Sequence, residues 1–203
     1  MLEAASPKSK GDKRARTRAA LIDAAAALVR EKGYERTSLE DVAARAGMTR
    51  GAIYGNFRNK EELFVAVVTA RWEPILPPFK PGASFREQMR ILADAVITAM
   101  PARRAAAVGA ASFQLYALTH EAMRARIAAG NAEIYRQAAA GLLAFVPQSE
   151  LPMPASVFVR VVHALIDGLL FLHAMTPELV GEQEVRAAFD AIGAPSAVPR
   201  LHV

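Results

Sequence analysis

The sequence predicts an all-α chain in two parts, a small N-terminal three-helix module followed by a larger helical domain. Three observations lead there. Apolar residues recur three and four apart through most of the chain, which is the period of a helix face. Gly and Pro fall between these stretches as punctuation. No Gly-rich strand-to-helix turn and no internal repeat of 20–50 residues appears. With 203 residues, 53% of them hydrophobic and 22% charged, the chain is long and apolar enough to bury a core.

Residues 1–12 carry Pro7, Gly11 and several charges and read as a flexible basic arm. From Lys13 to Lys32 there is no Gly or Pro. Leu21, Ala25, Leu28 and Val29 share one face, and Gly33 ends this first helix. Thr37 with Glu40 has the spacing of a capping box, and Ser38 with Asp41 is a second possible frame. The helix opened there runs to about Ala46 and stops at Gly47. Thr49 opens a third helix through about Phe57. Asn59, with Glu62 three residues on, caps a fourth that carries Leu63, Phe64, Val67 and Val68 and ends near Trp72. Residues 73–82 hold four Pro and one Gly in ten positions and mark a linker. Beyond it, helices are expected at Ser84–Met100, Arg103–Thr119, Glu121–Phe145, Ala155–Met175 and Glu182–Ile192, mostly separated by prolines. Residues 83–193 form the second domain, and 194–203 read as a disordered tail.

Composition excludes several classes. With no Cys there are no disulfides, thiolate metal sites or Cys nucleophile. The most apolar stretch, Val157–Met175, is interrupted by Arg160, His163 and Asp167, so no membrane span is expected. The basic start lacks the apolar segment of a secretory signal, which makes a cytoplasmic protein the default. The charge is unevenly placed. Residues 1–72 hold 14 Lys/Arg against 9 Asp/Glu, whereas residues 73–203 hold 11 of each. A basic module beside a neutral one points the first toward a polyanion.

The stretch from Ser38 to Phe57 has the layout of a helix-turn-helix. Ala43 lets two short helices approach, and Gly47 permits a left-handed turn. With Val42, Ile53 and Phe57 facing inward, Arg50, Gly51, Tyr54 and Gly55 face outward. Arg50 has the reach and fork to read guanine O6 and N7. Tyr54 offers a hydroxyl to phosphate and a ring to a thymine methyl. Thr49 and Lys60 stand at helix starts, where free N–H groups favour phosphate.

These residues resemble the tetracycline-repressor (TetR) family of bacterial transcriptional regulators. The likeness runs from Arg16 to Val68. It rests on Ala24-Ala25-Ala26-Ala27-Leu28, on Gly33 through Ser38, on Val42 through Gly47 and on Gly51 through Phe64. The resemblance implies a homodimer that binds a double-stranded DNA operator and a small-molecule effector. It implies phosphate contacts by Tyr54, Lys60, Thr49 and Ser38, and base reading by Arg50 and Gly51. Gly55 and Asn56 complete the expected DNA-facing set. They depart from the bulky aromatic or His residues that many members carry there.

The second domain resembles the family less closely. Val157–Met175 is apolar nearly all round, which calls for burial on two sides, one of them by a second subunit. Candidate residues for an apolar or aromatic effector are Met89, Leu92, Phe113, Tyr116, Met123, Tyr135 and Phe171, with polar contacts from Gln114, His120 and His163. The histidines lack metal-ligand spacing, and no nucleophile-base pair or phosphate loop appears. No metal, cofactor or catalysis is expected. The rival readings are a ligand-binding or adaptor protein whose helix-turn-helix no longer binds DNA, and a helical enzyme using His120 or His163 as base.

Overall fold

The computed structural model describes residues 10–71 and 74–194. Eight α-helices follow in order: α1 (Lys10–Lys32), α2 (Leu39–Arg45), α3 (Arg50–Tyr54), α4 (Lys60–Arg71), α5 (Phe85–Thr119), α6 (Glu121–Leu143), α7 (Ala155–Met175) and α8 (Glu182–Ile192). Among the described residues there is one 3-10 turn, at Gln148–Glu150, and no strand. The all-α reading therefore holds. Most of the arm, residues 1–9, and the tail from 195 lie outside the described residues. Lys10–Asp12, expected in the arm, already belong to α1.

The described chain divides into two units. One holds the residues up to 71 with Val108–Tyr116, and the other holds Pro74–Ala107 with the residues from Ala117 onward. The first is built on a core of Leu21, Ala25, Leu28, Leu39, Val42, Ile53, Phe57, Leu63 and Val67 from α1 to α4. Beside it, Tyr34 and Phe64 stack at 4.2 Å. They meet Tyr116 at 4.7 Å and Phe113 at 5.6 Å respectively. The second core joins Phe85, Met89, Leu92, Val96 and Met100 to Leu142, Val146, Phe158, Val162, Val185 and Phe189.

Two differences from the sequence reading have clear causes. Pro101 does not end a helix; α5 runs through it for 35 residues. Pro101 is exposed, so the hydrogen bond it removes is lost near water, and the Ala-rich stretch beyond it strongly favours helix. The Pro-rich segment is also anchored. Gln88, fully buried, accepts from the Lys80 backbone N–H at 3.1 Å and donates to the Lys80 carbonyl at 2.6 Å.

The cap of α2 uses the second frame. Ser38 accepts from Asp41 N at 3.1 Å, and Asp41 accepts from Ser38 N at 3.1 Å. Asp41 also takes a hydrogen bond from Lys32 at 2.7 Å. That bond, with those from Ser38, holds its carboxyl at about 2, well below the ordinary carboxylate value. Ser38→Ala is expected to cost about 1 kcal/mol, read from urea unfolding of the wild-type and variant chains. Because the Asp41 value is depressed in the fold, its stabilising share is complete above the unfolded value near 4 and is lost as pH falls toward 2.

α7 is unusual in its environment. Its mean hydropathy reaches 1.8 over an 18-residue window, long and apolar enough by composition to cross a membrane, yet 17% of that window is buried in the chain. Ala155, Phe158 and Val162 face the second core. Val157, Val161, Ala164, Gly168, Phe171 and Met175 are exposed. Their steps of four and three residues make one seam of a helix.

Candidate nucleic-acid interface

The turn between α2 and α3 is closed by backbone alone. Gly47 takes φ +65°, its N–H bonds Ala44 O at 3.0 Å, and Met48 N bonds Ala43 O at 2.9 Å. These two bonds satisfy carbonyls that the end of α2 would leave open, and only a residue comfortable in the left-handed region completes them. Thr49 then caps α3, accepting from Ala52 N at 3.3 Å. Thr49 itself is exposed.

α3 spans five residues and does not reach Phe57 as expected, ending with Gly55 as C-cap. Ile53 is fully buried, and Phe57 follows it at 1% exposure beneath the Arg18 guanidinium, 4.3 Å from its ring centre. With these two inward, Thr49, Arg50, Gly51, Tyr54 and Gly55 form one exposed face. The Arg50 side chain is 73% exposed and lies 5.5 Å over the Tyr54 ring. Gly51 and Gly55 bare the backbone of that face between those side chains. A Cβ on Gly51 would meet nothing closer than Thr49 Oγ1 at 3.8 Å, whereas one on Gly55 would sit 3.2 Å from the Gly51 carbonyl.

Three of the candidate residues turn out to have work inside the unit. Ser38 is the α2 cap. Asn56 turns back onto α3, donating to Ala52 O at 2.8 Å, with its Oδ1 buried and unpartnered, and its backbone carbonyl accepts from Arg18 at 3.4 Å. Lys60, at the start of α4, donates to Glu35 O at 3.0 Å and rests 4.2 Å over the Tyr34 ring. Arg14, Ala15 and Arg18 of α1 line a shallow cleft of about 390 Å³ with Asn56 and Glu62. The basic residues before Arg18 signalled a cationic face, but nothing in their spacing showed that Arg18 would stack on Phe57.

One participant escaped the sequence reading. Glu40, in the first turn of α2, accepts a hydrogen bond from the Tyr54 hydroxyl at 3.0 Å and forms an ion pair with Arg50 Nη2 at 3.1 Å, both on the same Oε1. Its own backbone N–H and the Tyr54 hydroxyl, followed by the Arg50 charge, hold its carboxyl below the usual carboxylate range. The signal available was a Glu placed 10 and 14 residues before two outward side chains, and that spacing has no meaning until the turn is known.

The ten effector candidates do not gather at one place. Met89, Leu92 and Met123 are buried, the first two in the second core. Phe113 and Tyr116 belong to the aromatic cluster of the first unit. Gln114 and His120 are exposed, and Phe171 lies on the outer seam of α7. Tyr135 and His163 do meet: the Tyr hydroxyl lies 2.7 Å from Nδ1, and Nε2 lies 3.4 Å from Asp167 Oδ2. Burial and the Asp167 charge raise the Tyr135 hydroxyl above its ordinary value. No group of three or more His, Asp or Glu suited to a metal occurs among the described residues.

Comparison with known proteins agrees with this geometry. Residues 21–67 match the family described as "Bacterial regulatory proteins, tetR family". The HTH-type transcriptional regulator TtgR of Pseudomonas putida is 47% identical over 57 residues, which are 28% of this chain and 27% of that protein. The match thus spans about a quarter of the relative's length. Among solved structures, Salmonella enterica GusR superposes with a TM-score of 0.70 at 16% identity, over 91% of this chain and 97% of that one. A putative transcriptional regulator from Saccharomonospora viridis in complex with choline gives 0.66 at 15% identity, over 87% and 95%. The structural likenesses carry the fold, and the sequence match shows that residues 21–67 are similar to the N-terminal module of the tetR family of bacterial regulatory proteins.

Proposed function

We propose that this chain is a cytoplasmic, DNA-binding transcriptional regulator. It acts as a homodimeric repressor that leaves a near-palindromic operator when a small-molecule effector binds. The observation that carries the reading is the outward face of α3, where Arg50 and Tyr54 stand exposed over a fully buried Ile53 in a unit with tetR-family sequence.

Arg50 reads a base edge in the major groove, and Gly51 and Gly55 let the α3 backbone come close to the duplex. Tyr54, Thr49 and Lys60 bond phosphate, with Ser38 and Asn56 steadying the ends of the two short helices. Lys60 suits this role because the Tyr34 ring and Glu35 carbonyl already order its long side chain. Two copies would place two α3 helices in successive major grooves, about 34–36 Å apart.

The outer seam of α7 supports the dimer. An apolar helix left open to water needs a cover, and Arg160, His163 and Asp167 beside the seam suit a protein cover better than lipid. Ala164 and Gly168, in the middle of the seam, let a partner helix approach closely. Leu169, on the same helix, packs on the chain's own core. Tyr135 and His163 are the effector candidates with polar groups already aligned, and the other candidates act as apolar support. Effector coupling of about 1–3 kcal/mol would change operator affinity roughly 5- to 150-fold.

Selection of genomic fragments on the purified protein at near-physiological salt is expected to return one near-palindromic site. Recovery of no enriched sequence would overturn the reading. On that site Lys60→Ala is expected to make the slope of log affinity against log salt shallower by about one unit, without changing base preference. An unchanged slope would remove Lys60 from the phosphate contacts.

A further inference from the structure

Arg50 and Tyr54 are not presented to solvent independently. The Tyr54 hydroxyl donates to Glu40 Oε1 at 3.0 Å, Arg50 Nη2 forms an ion pair with the same oxygen at 3.1 Å, and the Arg50 guanidinium lies over the Tyr54 ring. The three side chains close a triangle across the gap between α2 and α3. Glu40 itself is about half exposed, so its charge is on the same surface as the two groups it holds.

We propose that Glu40 is a specificity-determining residue of the DNA face: it positions Arg50 and Tyr54 and opposes their indiscriminate use on phosphate. The inference rests on the DNA-binding reading above and deepens it. A duplex of any sequence offers phosphates to Arg50 and Tyr54. Taking them breaks the Tyr54 hydrogen bond and the Arg50 ion pair to Glu40 and leaves an ionised carboxylate beside the anionic backbone. A site with a guanine edge in reach offers Arg50 two acceptors in its own plane, which offsets the lost contact. Wrong sequences therefore meet the repulsion uncompensated. The own-backbone bond to Glu40 and the Tyr54 hydroxyl keep the carboxyl ionised well below neutral pH, so the opposition is present throughout the range in which a cell operates.

The test compares wild type with Glu40→Gln and Glu40→Asp on two duplexes, the operator recovered by selection and a scrambled one of equal length. Glu40→Gln keeps an acceptor for Tyr54 and removes the charge. It is expected to raise affinity for the scrambled duplex about threefold, leave operator affinity near wild type, and steepen the scrambled-duplex salt slope by up to about one unit. Glu40→Asp keeps the charge and shortens the reach. It is expected to leave scrambled-duplex binding weak while relaxing base preference opposite Arg50. A thermal melt of each variant checks folding; a purely structural role would lower the melting temperature without moving the salt slope. Unchanged ratio and slope in Glu40→Gln, with wild type still selective, overturn the role of Glu40 and leave the DNA reading intact. Absence of salt-sensitive binding by wild type to any duplex overturns both.

Discussion

Replacing Phe57 with alanine is expected to cost the N-terminal unit about 3–5 kcal/mol. Phe57 is 1% exposed and packs into the cluster of Leu21, Ala25, Leu28, Val42, Ile53 and Leu63. It sits just beyond α3, whose five residues have little hydrogen bonding of their own to hold them. Its loss also strips the Arg18 guanidinium of the ring beneath it. Against a whole-domain stability of about 5–15 kcal/mol, this leaves the first unit marginal. Hydrogen exchange should rise through residues 10–71 while the second core, which lacks Phe57, keeps its protection. Unfolding that shifts by less than about 1 kcal/mol would mean that α3 is held by something other than this ring.

The second large effect is on assembly. Gly168→Arg is expected to turn the proposed dimer into a monomer in sedimentation velocity. The substitution is well matched to the question, because a Cβ at Gly168 meets nothing within 4 Å in the chain itself. The fold should therefore tolerate it. In a dimer closed along the seam from Val157 to Met175, the same guanidinium would be buried without a partner. Such a charge costs about 3–5 kcal/mol, a weakening of a hundredfold or more. A dimer that persists at micromolar concentration would place the interface elsewhere. A charged residue at Leu169 would be a poorer probe, since it would disturb the core holding Phe158 and Val162.

Local rules carried much of this fold. The glycines at 33 and 47 were legible as helix ends because their left-handed backbone, at φ +80° and +65°, is a need that few other residues meet. The bounds of α7 and α8 followed from apolar period and flanking Pro and Gly. The inward positions of Val42, Ile53 and Phe57 followed from spacing alone. What failed depended on surroundings. Pro101 reads as a break until its exposure is known. Thr37 and Ser38 both read as caps. Thr37 is the one whose hydroxyl bonds back to Gly33 O at 2.8 Å, which leaves the cap to Ser38. Residues suited to an apolar pocket are also residues suited to a core. Composition could not separate Met89 and Leu92, which are core, from Tyr135 and His163, which face each other. Glu40 and Gln88 were invisible for a related reason. Each acts on a partner brought near by a turn, and no local pattern records such a meeting.

The stretch between α2 and α4 is closed off at both ends by its own chemistry. Thr49 caps the helix it opens, and Asn59 Oδ1 accepts from Glu62 N at 2.8 Å to start the next one. Between Arg50 and Asn56, Ile53 is the one fully buried residue. On the DNA-binding reading proposed above, residues 50–55 would form an exchangeable cassette. A different address could be written there without rebuilding the scaffold, provided that Ile53 is kept and some donor still faces Glu40.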